Sequence, residues 1–364
     1  MFRPIFSSCV SLILLAACSA KHEGDTQTRT AISFENCINM SGYLEAPKDE
    51  YWGFTLKHSD IRNVAQQGFD TIRLSTRWSD YASDKAPYKI DNSIPTPTEN
   101  VPNDGPGIFT TVDRVLRWSQ KYDLKVILNI HHYDELYRNA DTEKARFLAI
   151  WTHLSERYKD VPNEDLIFEI INEPRDDSGN GTGMTIAKTN EYNALALDII
   201  RKTNPERSVI YGTGEYGGIS GVEGAKPPKD KNLIMSVHYY EPFDFTHQGA
   251  EFLSNPPAYP AKFGTRKHKK TIEKDFDHLH SLSEKLAMPI FVGEYGAIRN
   301  ANTNGEGPEL LVDEDQRGNW TAFVKDQIDR HGFTGCYFDY GTSYAAYDQR
   351  SKKWIPQIIS GLTD

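Results

Sequence analysis

The chain has 364 residues, of which 38% are hydrophobic, and its 41 Lys and Arg residues against 51 Asp and Glu residues give a formal net charge of −10. This composition is ordinary for a globular protein, and the mean hydropathy of −0.59 excludes a membrane protein with several spanning helices. An acidic chain repels the phosphates of nucleic acids, and the longest basic run, Arg266–Lys270, is too short to reverse that. We therefore expect no nucleic-acid partner.

The first 18 residues contain a strongly apolar segment. Arg3 precedes the run Ile5–Ala17, which is too short to cross a membrane as a stable helix and is typical of a secretory signal peptide. The run leads into the sequence LAAC at Leu15–Cys18, which resembles the signal of bacterial lipoproteins, whose cysteine is lipidated and becomes the first residue. We therefore predict a lipoprotein signal segment at residues 1–18, with lipid on Cys18.

Lipid chains would hold the protein on a membrane surface without spanning the membrane. Residues 19–33 are mostly polar and are predicted to form a tether, followed by a single folded domain at residues 34–364. Ser19, rather than aspartate, follows the cysteine. By resemblance to Gram-negative lipoproteins, we expect a secreted protein at the outer membrane or cell surface of a bacterium. An ordinary signal peptide cleaved near Ala17 or Ala20 is the alternative.

Four cysteines are present, and two of them lie in the first 18 residues. The other two, Cys37 and Cys336, have a spacing that matches no zinc motif. They could form a disulfide in an oxidising compartment or remain two buried thiols, and the sequence leaves both possibilities open.

Short β-rich runs alternate along the chain with longer helical patterns, which is typical of βα units and a parallel sheet. Eight strands are predicted, at Cys37–Ser41, Thr71–Ser75, Lys125–Ile130, Leu166–Ile171, Ser208–Gly212, Leu233–His238, Pro289–Gly293 and Phe333–Phe338. Eight such repeats in about 330 residues predict an α/β fold, a single-domain (β/α)8 TIM barrel. A doubly wound sheet of eight strands is the alternative.

Three long stretches rich in Pro, Gly, Asn and Asp begin just after predicted strands, at Ser83–Gly107, Arg175–Gly183 and Arg299–Gly307. In a βα barrel these loops all lie at the carboxyl ends of the strands, where active sites are built. Long loops on one face indicate a cleft for an extended substrate.

Two glutamates lie where predicted strands end. Glu173 follows the fourth strand and precedes Pro174, and Glu294 follows the seventh strand between Gly293 and Tyr295. Since the ends of strands 4 and 7 face each other across the mouth of a barrel, we expect the two carboxyl groups to act together in acid–base chemistry.

Other polar side chains recur at the same level of the barrel: Arg73 on strand 2, His131 and His132 at the end of strand 3, and His238 at the end of strand 6. Because neighbouring residues of a strand point to opposite faces, His131 and His132 are predicted to point in different directions. A metal site is the alternative interpretation of such a cluster, but no paired spacing typical of metal ligands supports it.

Two further site types find little support. The sequence has no G-x-S-x-G motif, which would mark a serine nucleophile on a strand-to-helix turn. Gly212–Gly217 matches the dinucleotide motif G-x-G-x-x-G, but more glycines and two prolines follow where that motif requires a helix. We therefore predict a turn at this position and no nucleotide site.

Eight blocks of sequence occur in order along the predicted strands: LEAP at 44–47, GFDTIR at 68–73, RW at 77–78, NIHHY at 129–133, NEP at 172–174, HYY at 238–240, FTHQG at 245–249 and GEYG at 293–296. Together they resemble glycoside hydrolase family 5, the cellulase family, and in particular its bacterial endo-β-1,4-glucanases and its glucan- and mannan-cleaving relatives. The similarity extends from about Cys37 to Leu362.

The resemblance implies a (β/α)8 fold and hydrolysis with retention, in which Glu173 is the acid/base and Glu294 the nucleophile. Retention requires two carboxyl groups about 5–5.5 Å apart. The acid must hold its proton near neutral pH, and we expect the neighbouring carboxylate to raise the pKa of Glu173. Tyr240 is similar to a tyrosine that binds the nucleophile, and Glu45 and His132 would line the glycone side. The resemblance implies further substrate-binding roles for Arg73, His131, Asn172 and His238.

Two positions depart from the family pattern. Phe338 stands where the family usually has a tryptophan that serves as a platform for the sugar, so the apolar face is smaller and the indole N–H is missing. Gly42 stands near Glu45 where close relatives have asparagine. Both changes lie around the same sugar. They therefore bear on which polysaccharide is cleaved more than on the type of reaction.

The sequence thus predicts a retaining endo-β-glycanase that acts on β-1,4-glucan or a related glucomannan, with no metal or organic cofactor, a lipid anchor as its only membrane contact, and a monomeric state. A β-mannanase, a xyloglucanase or a mixed-linkage glucanase are alternatives within the family. An inactive glycan-binding surface lipoprotein is the alternative from another class.

Overall fold

The computed structural model describes residues 34–99, 104–302 and 308–363, and eight of its strands form one closed sheet. These strands are β1 Asn36–Met40, β2 Thr71–Leu74, β3 Lys125–Asn129, β4 Leu166–Glu169, β5 Val209–Tyr211, β6 Leu233–His238, β7 Ile290–Tyr295 and β8 Thr334–Tyr337. Each pairs in parallel with the next along the chain, and β1 also pairs with β8, so the sheet is a barrel and not a doubly wound sheet. The predicted (β/α)8 TIM barrel is confirmed, with strand ends within two residues of the prediction. The predicted signal segment, Cys18 and the tether lie outside the described residues.

Ten α-helices and one hairpin accompany the barrel in the described ranges. The helices are α1 His58–Gln66, α2 Ile108–Gln120, α3 Asp134–Arg138, α4 Ala140–Arg157, α5 Ile186–Thr203, α6 Ile219–Glu223, α7 Phe243–Thr246, α8 Arg266–Leu286, α9 Glu314–Arg330 and α10 Pro356–Thr363, and the hairpin pairs β9 Tyr347–Asp348 with β10 Lys353–Trp354. Helices α4, α5 and α9 begin after Asn139, Thr185 and Asp313, whose side chains accept a backbone N–H of the first turn. None of the helices in these ranges combines the length and the apolarity that crossing a membrane requires.

The amino-terminal end of the barrel is filled by an apolar layer of inward-facing side chains. Its members come from seven strands and from the residue that closes the bottom, and they are Phe34, Cys37, Ile127, Ile167, Ile210, Ile234, Phe291 and Cys336. Cys37 and Cys336 form a disulfide that joins β1 to β8, which settles the pairing that the sequence left open. This layer closes the bottom of the barrel, so the polar chemistry is confined to its other end.

Above this layer the interior of the barrel becomes polar. Arg73 on β2, Glu169 on β4 and Asn39 on β1 are all fully buried, and Arg73 donates to both of the others across the lumen. Asn39 also donates to the carbonyl oxygens of Gly293 and Cys336, so it links β1 to β7 and β8. These side chains form a polar layer inside the barrel, directly below the residues at the carboxyl ends of the strands.

Candidate active site

Glu173 lies in the turn after β4, four residues beyond the last strand residue Glu169, and not directly at the strand end as predicted. Its φ of +43° is in the left-handed region, which is uncommon for a residue with a side chain and typical of strained functional positions. Two side chains fix this turn: the hydroxyl of Tyr137 donates to the carbonyl oxygen of Asn172 at 2.6 Å, and Arg175 donates to that of Glu173 at 3.2 Å. The backbone is therefore held so that the Glu173 side chain enters the cleft.

Glu294 lies on β7 itself, and its side chain is 6% exposed. Each of its carboxylate oxygens has a donor: Arg73 donates to Oε1 at 2.7 Å and the hydroxyl of Tyr240 donates to Oε2 at 2.9 Å. Burial and the charge of Glu294 raise the pKa of Tyr240 well above its usual value, so the hydroxyl keeps its proton and remains a donor. The predicted contact between Tyr240 and the second glutamate is present.

His238, the last residue of β6, lies between the two glutamates. Its Nδ1 atom is 2.8 Å from Oε1 of Glu173 and 3.6 Å from Oε2 of Glu294, and oxygens of the two carboxyl groups lie within 4.8 Å of each other. Gly217 and Gly293 make room for the imidazole, because a Cβ at either position would come within 3.1 Å of the ring. The site thus places the imidazole of His238 between two closely spaced carboxyl groups.

The protonation of Glu173 differs from the expectation. Burial raises its pKa, but the hydrogen bond and charge of His238, with the charge of Arg175, outweigh burial and lower the pKa to about 2. The pKa of His238 is raised: burial lowers it, but the charge of Glu294 and the contact with Glu173 outweigh burial. Glu173 is therefore paired with the imidazolium, and the neighbouring carboxylate alone does not decide its charge.

Arg73 uses all its donor groups inside the barrel. It binds both oxygens of Glu169, at 2.6 and 2.7 Å, and also Oδ1 of Asn39, Oε1 of Glu294 and Oδ1 of Asn172. Burial lowers the pKa of Arg73, but the charges of Glu169 and Glu294 outweigh burial and raise it. Arg73 is therefore a fixed cation that orients Glu294 and the amide of Asn172 at the same time.

His131 and His132 both point to Glu45, which corrects the prediction that they point in different directions. Both residues follow the last residue of β3, so the alternation of a strand no longer applies. Their Nε2 atoms lie 3.4 and 3.1 Å from Oε1 of Glu45, and the backbone N–H of Gly42 donates to its Oε2 at 2.8 Å. Burial raises the pKa of Glu45, but the two imidazoles outweigh burial and hold it well below its usual value.

The orientation of the His131 ring follows from its neighbours. The amide of Asn129 donates to Nδ1 at 3.1 Å, so the neutral imidazole carries its hydrogen on Nε2, facing Glu45 and, at 3.9 Å, Glu294. Burial lowers the pKa of His131 and favours this neutral form. Glu45, His131 and His132 therefore extend the polar surface of the site toward β1 and β3.

Phe338 directly follows β8 and is half-buried, with its ring edge-on to Tyr344 at 5.5 Å between centroids. The ring of Tyr344 also contacts Tyr240 and His247, so an aromatic wall stands beside Glu294. Phe338 is thus located where the resemblance placed the sugar platform, with the smaller ring that the sequence shows.

Within the described ranges, two groups of side chains could offer three ligand atoms to a metal ion, namely Glu45–His131–His132 and Glu173–His238–Glu294. In each group the imidazoles are hydrogen-bonded or paired with the carboxylates. Such contacts account for the positions of these residues, and the absence of a metal requirement stays a prediction.

The structure brings together every predicted residue of the cleft: Glu45, Arg73, His131, His132, Asn172, Glu173, His238, Tyr240, Glu294 and Phe338. Sequence reasoning missed Glu169, Tyr137 and Arg175. Glu169 gave a usable signal, since a charged residue within the buried strand LIFE requires an opposite charge inside the fold. The sequence contains no signal for Tyr137, because its hydrogen bond to Asn172 depends on how α3 lies against the turn of Glu173.

Comparisons with known proteins agree with this arrangement. The family model described as cellulase (glycosyl hydrolase family 5) matches residues 28–343. Endoglucanase H of Acetivibrio thermocellus is 28% identical over 330 residues, which cover 89% of this chain and 32% of that protein. The chain therefore spans about a third of the length of that relative.

Two solved structures are those of the endoglucanase Cel5A of Thermotoga maritima, one in complex with cellobiose and one with mannotriose. Each is 33% identical to this chain and covers 90% of it and 97% of the solved chain, with TM-scores of 0.80 and 0.79. The eight-stranded barrel, the two glutamates beyond β4 and on β7, and the matching family model lead to one conclusion: the chain belongs to the cellulase family, glycosyl hydrolase family 5.

Proposed function

We propose that the protein is a retaining endo-β-glycanase that hydrolyses β-1,4-glucan or a related glucomannan. The observation that carries the proposal is the short separation of the two carboxyl groups, whose oxygens lie within 4.8 Å of each other. This separation suits a double displacement, because an inverting enzyme needs about 6.5–9.5 Å to place a water molecule between its carboxyl groups. Several relatives are named endoglucanases, which supports a glucan as the substrate.

In the first step of the proposed mechanism, Glu294 attacks the anomeric carbon while Glu173 gives its proton to the glycosidic oxygen. A bond forms between the carbon and the carboxylate, and the bond to the leaving sugar breaks. In the second step Glu173 removes a proton from water, the water oxygen attacks the same carbon, and Glu294 leaves as a carboxylate. Arg73 and Tyr240 bind Glu294 through both steps and keep its carboxylate directed at the anomeric carbon.

The proton of the first step is held jointly by Glu173 and His238. The pair carries one proton, and the imidazolium is its preferred location. Transfer of this proton along the 2.8 Å contact gives a neutral imidazole and the carboxylic acid that the reaction requires. Asn172 accepts from Arg73 through Oδ1, so its NH2 group is left to donate to a hydroxyl of the sugar.

The substrate can be tested with soluble carboxymethylcellulose, glucomannan, galactomannan, xyloglucan, xylan and mixed-linkage β-glucan, with the product anomers followed by NMR. We expect new reducing ends from β-1,4-glucan or glucomannan, with the β-anomer appearing first. Initial release of the α-anomer would contradict the mechanism. Binding without any new reducing ends would instead support the inactive glycan-binding alternative.

A second candidate substrate, β-mannan, is favoured by one observation. The Thermotoga maritima enzyme was solved both with cellobiose and with mannotriose. A higher kcat/KM on mannan than on glucan in the same panel would make the protein a β-mannanase. A preference for xyloglucan or for mixed-linkage glucan would identify one of the other family alternatives.

We also propose that lipid on Cys18 anchors the protein to the outer membrane or cell surface. The sequence LAAC directly after an apolar segment supports this. Cys18→Ser should release the protein from the membrane fraction in a bacterial host, while Cys9→Ser serves as the matched control. A Cys18→Ser variant that stays with the membranes would contradict the anchor.

A further inference from the structure

A strained turn lies in the loop between β5 and α6. Glu215, Tyr216 and Gly217 have φ angles of +54°, +59° and +72°, so three consecutive residues are in the left-handed region. Residues with side chains adopt this region rarely, and such strain is concentrated at functional sites. Tyr216 is 56% exposed, so its strain is not offset by burial of the ring in the core. The contacts of this turn are therefore expected to serve the site rather than the core.

One side of the turn lies against His238. The backbone carbonyl oxygen of Gly217 accepts from the N–H of His238 at 2.9 Å. A Cβ at Gly217 would lie 3.1 Å from Cγ of the His238 ring, so the missing side chain lets the imidazole pack against the backbone. The turn thus supports the residue with which Glu173 shares its proton.

The other side of the turn lies against Arg175, two residues after Glu173. The ring of Tyr216 is centred 5.1 Å from Cζ of Arg175, and the ring of Tyr137 is centred 4.3 Å from the same atom. A guanidinium group is attracted to the face of an aromatic ring, so both rings restrict where it lies. The guanidinium group donates to the carbonyl oxygen of Glu173 at 3.2 Å. Tyr216 therefore contacts the side chain that binds the backbone of Glu173.

Asp177 connects Arg175 with Tyr216. Its Oδ2 atom accepts from Nε of Arg175 at 2.9 Å, and its Oδ1 atom accepts from the hydroxyl of Tyr216 at 3.2 Å. The backbone N–H of Asp177 donates to the carbonyl oxygen of Tyr137 at 3.0 Å, which fixes the position of Asp177 itself. Arg175, Asp177 and Tyr216 thus form a closed ring of contacts, which we call the Arg175 clamp.

The Arg175 clamp bears on the direction of the Glu173 side chain. The φ of +43° at Glu173 is unfavourable and depends on contacts that hold the backbone. A carbonyl oxygen that accepts a hydrogen bond from a fixed donor cannot turn freely. The bond from Arg175 therefore restricts the peptide unit after Glu173 and, with it, the direction of the carboxyl group. Tyr216 and Asp177 act on this bond by holding Arg175.

We infer that Tyr216 and Asp177 are positioning residues for the proposed acid/base. They hold Arg175, and Arg175 holds the backbone of Glu173 so that its carboxyl group reaches the glycosidic oxygen. The inference rests on the proposed function, since it concerns the delivery of the proton in the same reaction. Loss of either positioning residue should weaken proton transfer to the leaving group and leave the attack of Glu294 unaffected.

Aryl glycosides separate proton delivery from the rest of the reaction. A dinitrophenolate leaves without a proton, whereas a phenolate without nitro groups needs one, so only the phenyl glycoside depends on the acid. The test measures kcat/KM on both glycosides of the disaccharide preferred in the substrate panel. This constant reports the steps up to departure of the phenol and not the later attack of water.

Tyr216→Ala and Asp177→Ala should each lower kcat/KM on the phenyl glycoside by about tenfold, because a misplaced acid loses part of its contribution. Their kcat/KM on the dinitrophenyl glycoside should stay that of the unaltered protein. Tyr88→Ala is the matched control, since Tyr88 is a tyrosine with a φ of +57° outside the Arg175 clamp, and it should keep both constants. An equal loss on both glycosides would assign Tyr216 and Asp177 to the leaving group or to the fold and would overturn the inference. Unchanged constants on both glycosides would overturn it as well.

Crystal structures separate this inference from the proposed function. If the unaltered protein hydrolyses neither glycoside and no glycan of the panel, the proposed function fails, and structures of the unaltered protein and of Asp177→Ala still test the Arg175 clamp. Loss of the bond from Arg175 to Glu173, together with a changed direction of the Glu173 side chain, supports the inference. Unchanged positions of both residues in Asp177→Ala overturn it.

Discussion

Nδ1 of His238 lies 2.8 Å from Oε1 of Glu173, and through this contact the catalytic acid shares its proton with the imidazole. The pKa of His238 is raised above its usual value of 6.5, and that of Glu173 is lowered to about 2. Below the raised pKa of His238 the pair holds one proton, and as pH rises through that pKa the proton is lost. The alkaline side of the pH profile therefore belongs to the pair, not to a glutamate alone.

In His238→Gln the fall of kcat/KM on the alkaline side of the pH profile should occur at lower pH, because Glu173 must then hold the proton by itself. Loss of the imidazolium removes the main influence that lowers the pKa of Glu173, so the pKa of the acid rises, but the second group that shared the proton is gone. The measurement is kcat/KM on a soluble substrate from pH 4 to pH 9. If kcat/KM fell at the same alkaline pH in both proteins, His238 would not share the proton.

Glu173→Gln should lower the rate on polysaccharide by about 10²–10⁴-fold, the usual contribution of a general acid. A synthetic glycoside with a dinitrophenolate leaving group needs no proton, so its first step should remain fast and release a burst of phenolate. Glu294→Gln is the matched control, since loss of the nucleophile should abolish the reaction of both substrates. A burst in Glu294→Gln would reverse the proposed roles.

Glu169→Gln should destabilise the fold, because Arg73 would lose a buried bidentate partner while it stays charged. Breaking a buried ion pair costs about 3–5 kcal/mol, so we expect a decrease of roughly 3 kcal/mol in the free energy of unfolding by urea. Glu156→Gln is the control, since the side chain of Glu156 is 57% exposed and its pair with Lys159 contributes little. Equal midpoints in the two variants would show that Arg73 does not depend on Glu169.

Phe338→Trp should change the preference among glucans and mannans. The larger ring would restore the apolar area and the indole N–H that this chain lacks beside Tyr344. We expect tighter substrate binding, read as a lower KM, and a shifted ranking in the substrate panel. If the ranking and the kinetic constants of all glucans and mannans stayed the same, Phe338 would have no part in selecting the sugar.

Much of the fold and the site follows from local sequence patterns. Alternating strands and helices predict the barrel, because each βα unit buries its own apolar face, and the positions of Glu173 and Glu294 after predicted strands place them at one mouth. The convergence of His131 and His132 on Glu45 could not be predicted, since it depends on where β3 stops and the backbone turns. The pairing of Glu173 with His238 depends likewise on the separation of two strands, which no spacing along the chain reports.

Phe34 and the apolar layer around the disulfide close the end of the barrel opposite to Glu173 and Glu294. The described chain therefore enters the barrel from the side that faces away from the cleft. A solid support coupled directly at Phe34, where the described chain starts, would therefore be bound at the end of the barrel remote from the cleft. A protein immobilised in this way would present its open cleft outward, toward polymers too large to pass beneath it.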